Sequence, residues 1–318
     1  MGLTYSLLTQ AAQMGLVLGL APLLTGFVRK IKARLLRRQG PGLLQPYRDL
    51  LRLMRKEVVL ADTASWLFRV VPYLMFAATW VVASLIPTFA KGLMFSWTAD
   101  LIAITALLGS ARFFQALAGM DVGTSFGGIG SSREVMIASL AEPAMLLTVF
   151  TIALVAGSTQ LSTVATFMAS TNVGLRISLG LALVALIMIA LAENSRMPVD
   201  NPSTHLELTM VHEAMLLEYS GRHLAMIELA SMLKLLLYMS LIAAVFMPVG
   251  VADVGSGVEH YVFGAVAYLA KIGLCALFLA AFETLIAKMR VFRVPDFLGA
   301  ALMLGLLATL LLFVSKGL

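Results

Sequence analysis

The sequence predicts an all-α, polytopic integral membrane protein, a single transmembrane domain over 1–318. Three observations predict it. Of the 318 residues 60% are hydrophobic and only 13% charged, whereas soluble domains carry about a quarter charged residues. Mean hydropathy is +0.94. The apolar residues also gather in long runs, each near the roughly 20 residues that a hydrocarbon core asks of a spanning helix.

Eight such runs follow one another: 3–28, 67–89, 98–118, 136–157, 174–192, 224–247, 261–284 and 297–315. No basic residue precedes the first, and Arg29, Lys30 and Lys32 follow it directly. That is a stop signal behind a span, unlike a cleaved signal peptide. The second opens around Arg69, Pro72 and Tyr73 and closes at Pro87; the third is blurred at its end by Arg112, Gln115 and Gly119. Between the runs lie four longer polar stretches, 29–66, 119–135, 193–223 and 285–296.

The stretch 29–66 contains a helical signal. Leu43, Tyr47, Leu50, Leu51, Met54 and Val58 follow the rhythm of one helix face, and Arg48, Arg52 and Arg55 fall on another. Such a helix suits the lipid headgroup layer, a soluble partner, or both. The glycine-rich run Phe126–Glu134 is a poor match to a phosphate-binding loop, because no strand precedes it. It reads as a flexible loop leading into the fourth span, with Ser131 or Ser132 near a helix cap and Glu134 in the first turn.

Lysine and arginine counting orients the chain. Eighteen fall at the four polar stretches and the helix ends beside them, against Lys91, Arg176 and Lys316 on the other side. The positive-inside rule therefore puts the polar stretches in the cytoplasm and both termini outside. The net charge of +6 reports this topology and calls for no nucleic acid. The 19 methionines are scattered as packing residues would be. One cysteine, Cys275, builds neither a disulfide nor a cysteine-ligated iron–sulfur cluster.

The segment Glu193–Gly221 stands out. It carries Glu193, Asp200, Glu207, Glu213 and Glu218 with His205 and His212, against Arg196 alone. Pro198 and Pro202 break it early, and from Ser203 or Thr204 it reads as a helix with Glu207, Val211, Ala214 and Glu218 on one face. The two histidines with a carboxylate offer metal ligands, but no spacing fixes a site, and the zinc-protease pattern is absent. Within the spans, Glu142, Glu228, Lys234, Lys271 and Glu283 are costly to bury. They read either as pairs that orient helices or as a proton relay running inward from the cytoplasmic loops.

These residues carry a resemblance. Glu193, Arg196-Met-Pro198-Val-Asp200, Glu207-Leu208 and Glu218-Tyr219-Ser220-Gly221 resemble the signature of the H-type membrane subunit family of respiratory complex I. Arg38-Gln-Gly-Pro41, Gly42-Leu-Leu-Gln45-Pro46 and Lys56-Glu57 resemble that family's first cytoplasmic loop. Within the family the wording is similar to the hydrogenase branch, the membrane anchors of formate hydrogenlyase and hydrogenase-4. Gln45–Leu50, Phe126–Gly130, Ala141–Ala144 and Thr204–Glu213 carry that likeness. The spacer of the respiratory form is missing before Gly42, and Ser203 and His205 stand where that form has acidic residues.

The resemblance implies a non-catalytic subunit of a group 4 nickel–iron hydrogenase complex in the cell membrane. It implies docking of the hydrogenase large and small subunits and an iron–sulfur protein, with antiporter-like membrane subunits alongside. The nickel–iron centre and iron–sulfur clusters would then sit in those partners, with no cofactor in this chain. Glu142, Glu193, Arg196, Asp200, Glu207, Glu213, Glu218, Glu228, Lys234, Lys271 and Glu283 are the expected coupling and proton-relay residues. Arg38, Gln45, Arg48, Arg52, Lys56 and Glu57 are the expected docking residues. Two other functions compete: the quinone-chamber subunit of a complex I-like dehydrogenase, and a stand-alone cation or proton carrier.

Overall fold

A computed structural model describes residues 2–92, 94–170, 177–200, 210–253 and 257–317. Among the described residues the helices are α1 (Gly2–Leu35), α2 (Gln45–Met54), α3 (Trp66–Leu85), α4 (Leu101–Asp121), α5 (Ser125–Ala156), α6 (Leu161–Ala169), α7 (Ile177–Glu193), α8 (His212–Leu216), α9 (Gly221–Phe246), α10 (Val258–Leu285) and α11 (Val294–Gly317). Seven of these are long and apolar enough to cross a membrane, and α7 is a shorter apolar helix of 17 residues. Together they match the eight predicted runs.

Connections gather at two opposite ends. At one end, β1 (Ala90–Lys91) pairs in parallel with β2 (Ala252–Asp253), and the Thr159 hydroxyl donates to Asp100 at 2.7 Å. At the other, polar end, Thr63 bonds the Val122 carbonyl, Ser220 bonds Val59, and the Met289 amide donates to the Pro198 carbonyl. α9 is the most buried spanning helix and forms the axis of the bundle. α3, α1, α2 and α10 pack on it, while α5, α7 and α11 form a second group. Buried polar groups inside the spans are used structurally: Gln10 and Gln13 of α1 donate to the Ser84 and Ile86 carbonyls at the end of α3.

Three expectations are corrected. First, α5 begins at Ser125, capped by Thr124 accepting from the Gly127 amide. The stretch 119–135 therefore shrinks to a turn at 122–124, with Ser131, Ser132 and Glu134 inside the helix. The glycines serve packing: a Cβ at Gly127 would overlap the Gly119 carbonyl oxygen, and one at Gly130 would press on Val211 and Ala214 of the segment crossing beside it. Second, α1 runs on to Leu35, which carries Arg29 and Lys32 on a helix beyond the predicted end of the span. Third, the helix expected from Ser203 is, among the described residues, only α8. Val211 lies before it and Glu218 in the turn after it, so they share no helix face with Ala214.

The predicted amphipathic helix is α2, with Pro46 and Leu50 buried against α1 and α9. Val58 lies beyond its end, and Leu51 and Met54 face outward with Arg48 and Arg52.

Candidate functional site, a charged cavity at the polar end

The polar end encloses a cavity of about 840 Å³. Five parts of the chain build it. The end of α1 supplies Arg29 and Lys32, and the following loop supplies Arg38. The loop after α7 supplies Asn194, Ser195, Arg196 and Asp200. α8 brings His212 and Glu213, while α9 and α10 bring Glu228, Ser231 and Glu283.

The loop 194–200 is held in shape on both sides. Its Met197–Pro198 peptide is cis and Ser195 has a positive φ of 49°. Asp200 pairs with Lys288 at 2.6 Å, beside the Met289–Pro198 backbone bond. Glu283, fully buried, meets Lys32 at 2.7 Å and Arg196 at 3.6 Å, so three separate segments converge on one carboxylate. Burial pulls the Arg196 guanidinium below its ordinary value, and Glu283 opposes that pull.

Inward from the cavity, Asn194, Ser195, His212 and Ser231 also line a small void of about 20 Å³ that reaches Arg112, Gln115, Glu193 and Lys234. Arg112 of α4 pairs with Glu193, and its Nε lies 2.5 Å from Glu134 Oε1 of α5. Lys234 of α9 reaches the other oxygen of Glu193 at 2.8 Å. Two cations and two carboxylates thus close a cluster across four helices. Gln115, one turn along α4 from Arg112, donates to His212 Nδ1 at 3.0 Å and so ties α4 to the cavity wall. The His212 ring opens partly to the cavity but is surrounded by protein, and burial lowers its pKa.

The Glu218–Gly221 motif makes a joint of its own beside α8. Tyr219 stacks on Phe68 with ring centroids 3.8 Å apart, and its hydroxyl donates to the Phe68 carbonyl. Ser220 accepts from the Val59 amide at 2.8 Å. Gly221 has φ +52°, and a Cβ there would overlap the Glu57 carbonyl. The Lys56-Glu57 and Tyr-Ser-Gly stretches, distant in sequence, are one joint in space.

Of the expected coupling residues, Arg196, Asp200, Glu213, Glu228 and Glu283 line the cavity, and Glu193 and Lys234 form the cluster inward of it. Glu207 and His205 lie outside the described residues. Glu142 and Lys271 do not join: neither lines the cavity or its inner extension, and each is at least partly exposed on its own helix. Glu218 sits in the turn after α8, off the cavity lining. Of the docking residues, Arg38 lines the cavity mouth, while Gln45 and Arg52 hold Asp49 on α2 at 3.0 and 3.3 Å. Arg48, Lys56 and Glu57 are exposed.

Sequence reasoning missed Arg29, Lys32, Arg112, Glu134, Ser231 and Lys288 as site residues. For Arg112 and Glu134 a signal existed, since ionisable groups flanked by apolar helix mark a site. Among the described residues, no group of three or more His, Cys, Asp or Glu stands together as a metal would need.

A bundle of apolar helices with a charged cavity at one end defines a multi-pass membrane protein. The family described as NADH dehydrogenase (NADHdh) matches residues 9–314, and the chain belongs to it, the H-type family of complex I membrane subunits. The chain is 33% identical to formate hydrogenlyase subunit 4 of Escherichia coli (strain K12), over 91% of this chain and 93% of that one. It is 35% identical to hydrogenase-4 component C of the same organism, over 78% of each. It is 30% identical to the H-type subunit of NADH-quinone oxidoreductase from Salinibacter ruber, over 66% of this chain and 63% of the other. A chain in the solved structure of the membrane-bound sulfane sulfur reductase, an archaeal respiratory membrane complex, has the same fold. Its TM-score is 0.79 at 19% identity, covering 96% of this chain and 98% of that one.

Proposed function

We propose that the chain is the membrane-anchor and coupling subunit of a group 4 nickel–iron hydrogenase complex of the formate hydrogenlyase or hydrogenase-4 type. The observation that carries this reading is the identity with formate hydrogenlyase subunit 4 across nearly the full length of both chains. The polar end faces the cytoplasm with both termini outside, an orientation that the lysine and arginine asymmetry supports. There it docks the hydrogenase large and small subunits and an iron–sulfur protein, while antiporter-like membrane subunits lie beside the bundle. The nickel–iron centre and iron–sulfur clusters belong to the docked partners. This chain contributes charge.

The geometry supports a coupling role. A change of charge in a docked subunit acts first on groups around the cavity, where Lys32 and Arg196 share Glu283. In a site shielded from bulk water such interactions are stronger than at a surface. Glu228 and Glu213 are the relay carboxylates of this reading there, and His212 with Gln115 stands between that wall and the Arg112–Glu193 pair.

A second reading, the quinone chamber of a complex I-like dehydrogenase, is favoured by one observation. The cavity also has apolar lining from Leu36, Pro41, Leu216, Met232 and Ile286, which suits an amphipathic headgroup. One purification separates the two. A complex pulled from mild detergent by a tag on this chain should carry nickel and evolve hydrogen from a reduced dye. Flavin with quinone reduction and no nickel makes the second reading correct. A chain that arrives alone and moves ions in liposomes makes it a carrier.

A further inference from the structure

Lys271 stands at the centre of α10, with about 20 Å of helix on either side of it. One stripe of α10, including Tyr268, Ile272 and Ala276, is buried against α1 and α9. The rest of the helix is open, and α10 is the least buried of the seven long spans. Lys271 lies on the flank between the two, partly exposed, with the exposed Leu274 and Phe278 beside it one and two turns on. Among the described residues no carboxylate reaches it within ion-pair distance and no hydrogen bond holds it.

A lysine at that depth needs a counter-charge. Its four-carbon stem is far shorter than the roughly 15 Å to either membrane surface, so it cannot reach the headgroups. Lipid tails offer no compensation, and ionisable groups inside spans therefore face protein or water and pair with one another. We infer that the open face of α10 is the seat of a second membrane subunit, whose spanning helix carries an Asp or Glu at mid-depth that pairs with Lys271. Charge complementarity selects this occupant: a soluble subunit cannot enter the bilayer, and acidic headgroups lie half a membrane thickness away. The inference rests on the reading that the chain works within a complex.

The test uses the whole complex, extracted gently through a tag on this chain, from cells with the wild-type chain, Lys271→Met or Lys271→Arg. A photo-reactive amino acid in place of Leu274 records the neighbour before extraction. Methionine is at ease in an apolar helix, so the level of the tagged chain in the membrane should not change. Lys271→Met should lose one membrane subunit by about tenfold or more relative to the soluble ones, and Lys271→Arg should keep it. The cross-link should fall on the same subunit, in a peptide with an Asp or Glu inside an apolar run. A Lys271→Met complex with every membrane subunit present, or cross-links to lipid alone, overturns the inference and leaves membership of the complex standing. A wild-type chain that purifies alone overturns both.

Discussion

Glu193 at the end of α7 is held by Lys234 of α9 at 2.8 Å, while Arg112 of α4 binds its other oxygen. The carboxylate is 8% exposed and the arginine 2%, so little solvent is present to replace a lost partner. Removing one member of a buried pair costs about 3–5 kcal/mol, because the charge left behind stays buried. Glu193→Gln should therefore lower the thermal stability of the detergent-solubilised chain by about that order. Lys234→Met added to it should recover part of the loss, since one orphaned cation disappears. Equal, additive losses in the two variants and their combination would mean that the pair does not interact.

The joint between Glu57 and Gly221 makes a different kind of prediction. Gly221 combines φ +52° with a backbone contact to Glu57 that leaves no room for a Cβ. Gly221→Ala should cost about 1–2 kcal/mol for the left-handed conformation, and more for the overlap. The effect should appear as protease sensitivity of the segment around Val59, which Ser220 clasps. Unchanged digestion at that segment would contradict the joint.

The spans could be read from the sequence because hydropathy is a local property, summed along the chain. α5 began early for a non-local reason. Gly127 and Gly130 look like loop residues by propensity, but they let α5 touch α4 and the segment around α8, and packing overrides propensity. Arg112 looked like the blurred end of a span because its partners are 22 and 81 residues away. The cavity residues after Glu193 were visible because proline and carboxylates interrupt an apolar sequence. Lys32 and Lys288 count for topology in the sequence, and their roles become visible only where α1 meets Glu283 and the loop after α10 meets Asp200 in space.

His212 sets a pH dependence. Burial holds its pKa below the ordinary 6.5, with Lys234 and Arg112 adding to the depression and Glu134 and Asp200 opposing it. Gln115 faces its ring from α4. Above about pH 6.5 the ring is neutral both in the folded chain and in an opened one, so stability is unaffected. Below it the opened chain binds a proton that the folded chain refuses, and stability falls as pH falls, by at most about 1.4 kcal/mol per pH unit. Melting curves from pH 8 to pH 5 should show a loss that His212→Gln reduces. Parallel losses in both proteins would put the titrating group elsewhere.

A substitution at Glu283 would separate coupling from assembly. It is the point where α1, α10 and the loop after α7 meet, through Lys32 and Arg196. Glutamine keeps its size and its capacity to accept hydrogen bonds but not its charge, so the two cations are left facing a cavity wide enough to hold water. Water and the neighbouring Asp200, Glu213 and Glu228 can moderate that repulsion, which the closed cluster around Glu193 cannot do. Glu283→Gln should therefore leave the complex assembled, with subunits in wild-type proportion. Turnover driven by the natural electron donor in sealed vesicles should fall by about tenfold, the effect of roughly 1.4 kcal/mol on a barrier. Hydrogen evolution from a reduced dye, which bypasses coupling, should be unchanged. If both activities fall together with the amount of assembled complex, Glu283 holds helices in place and does no more. If neither falls, the Glu283 charge is irrelevant to coupling, and the relay must run through other carboxylates.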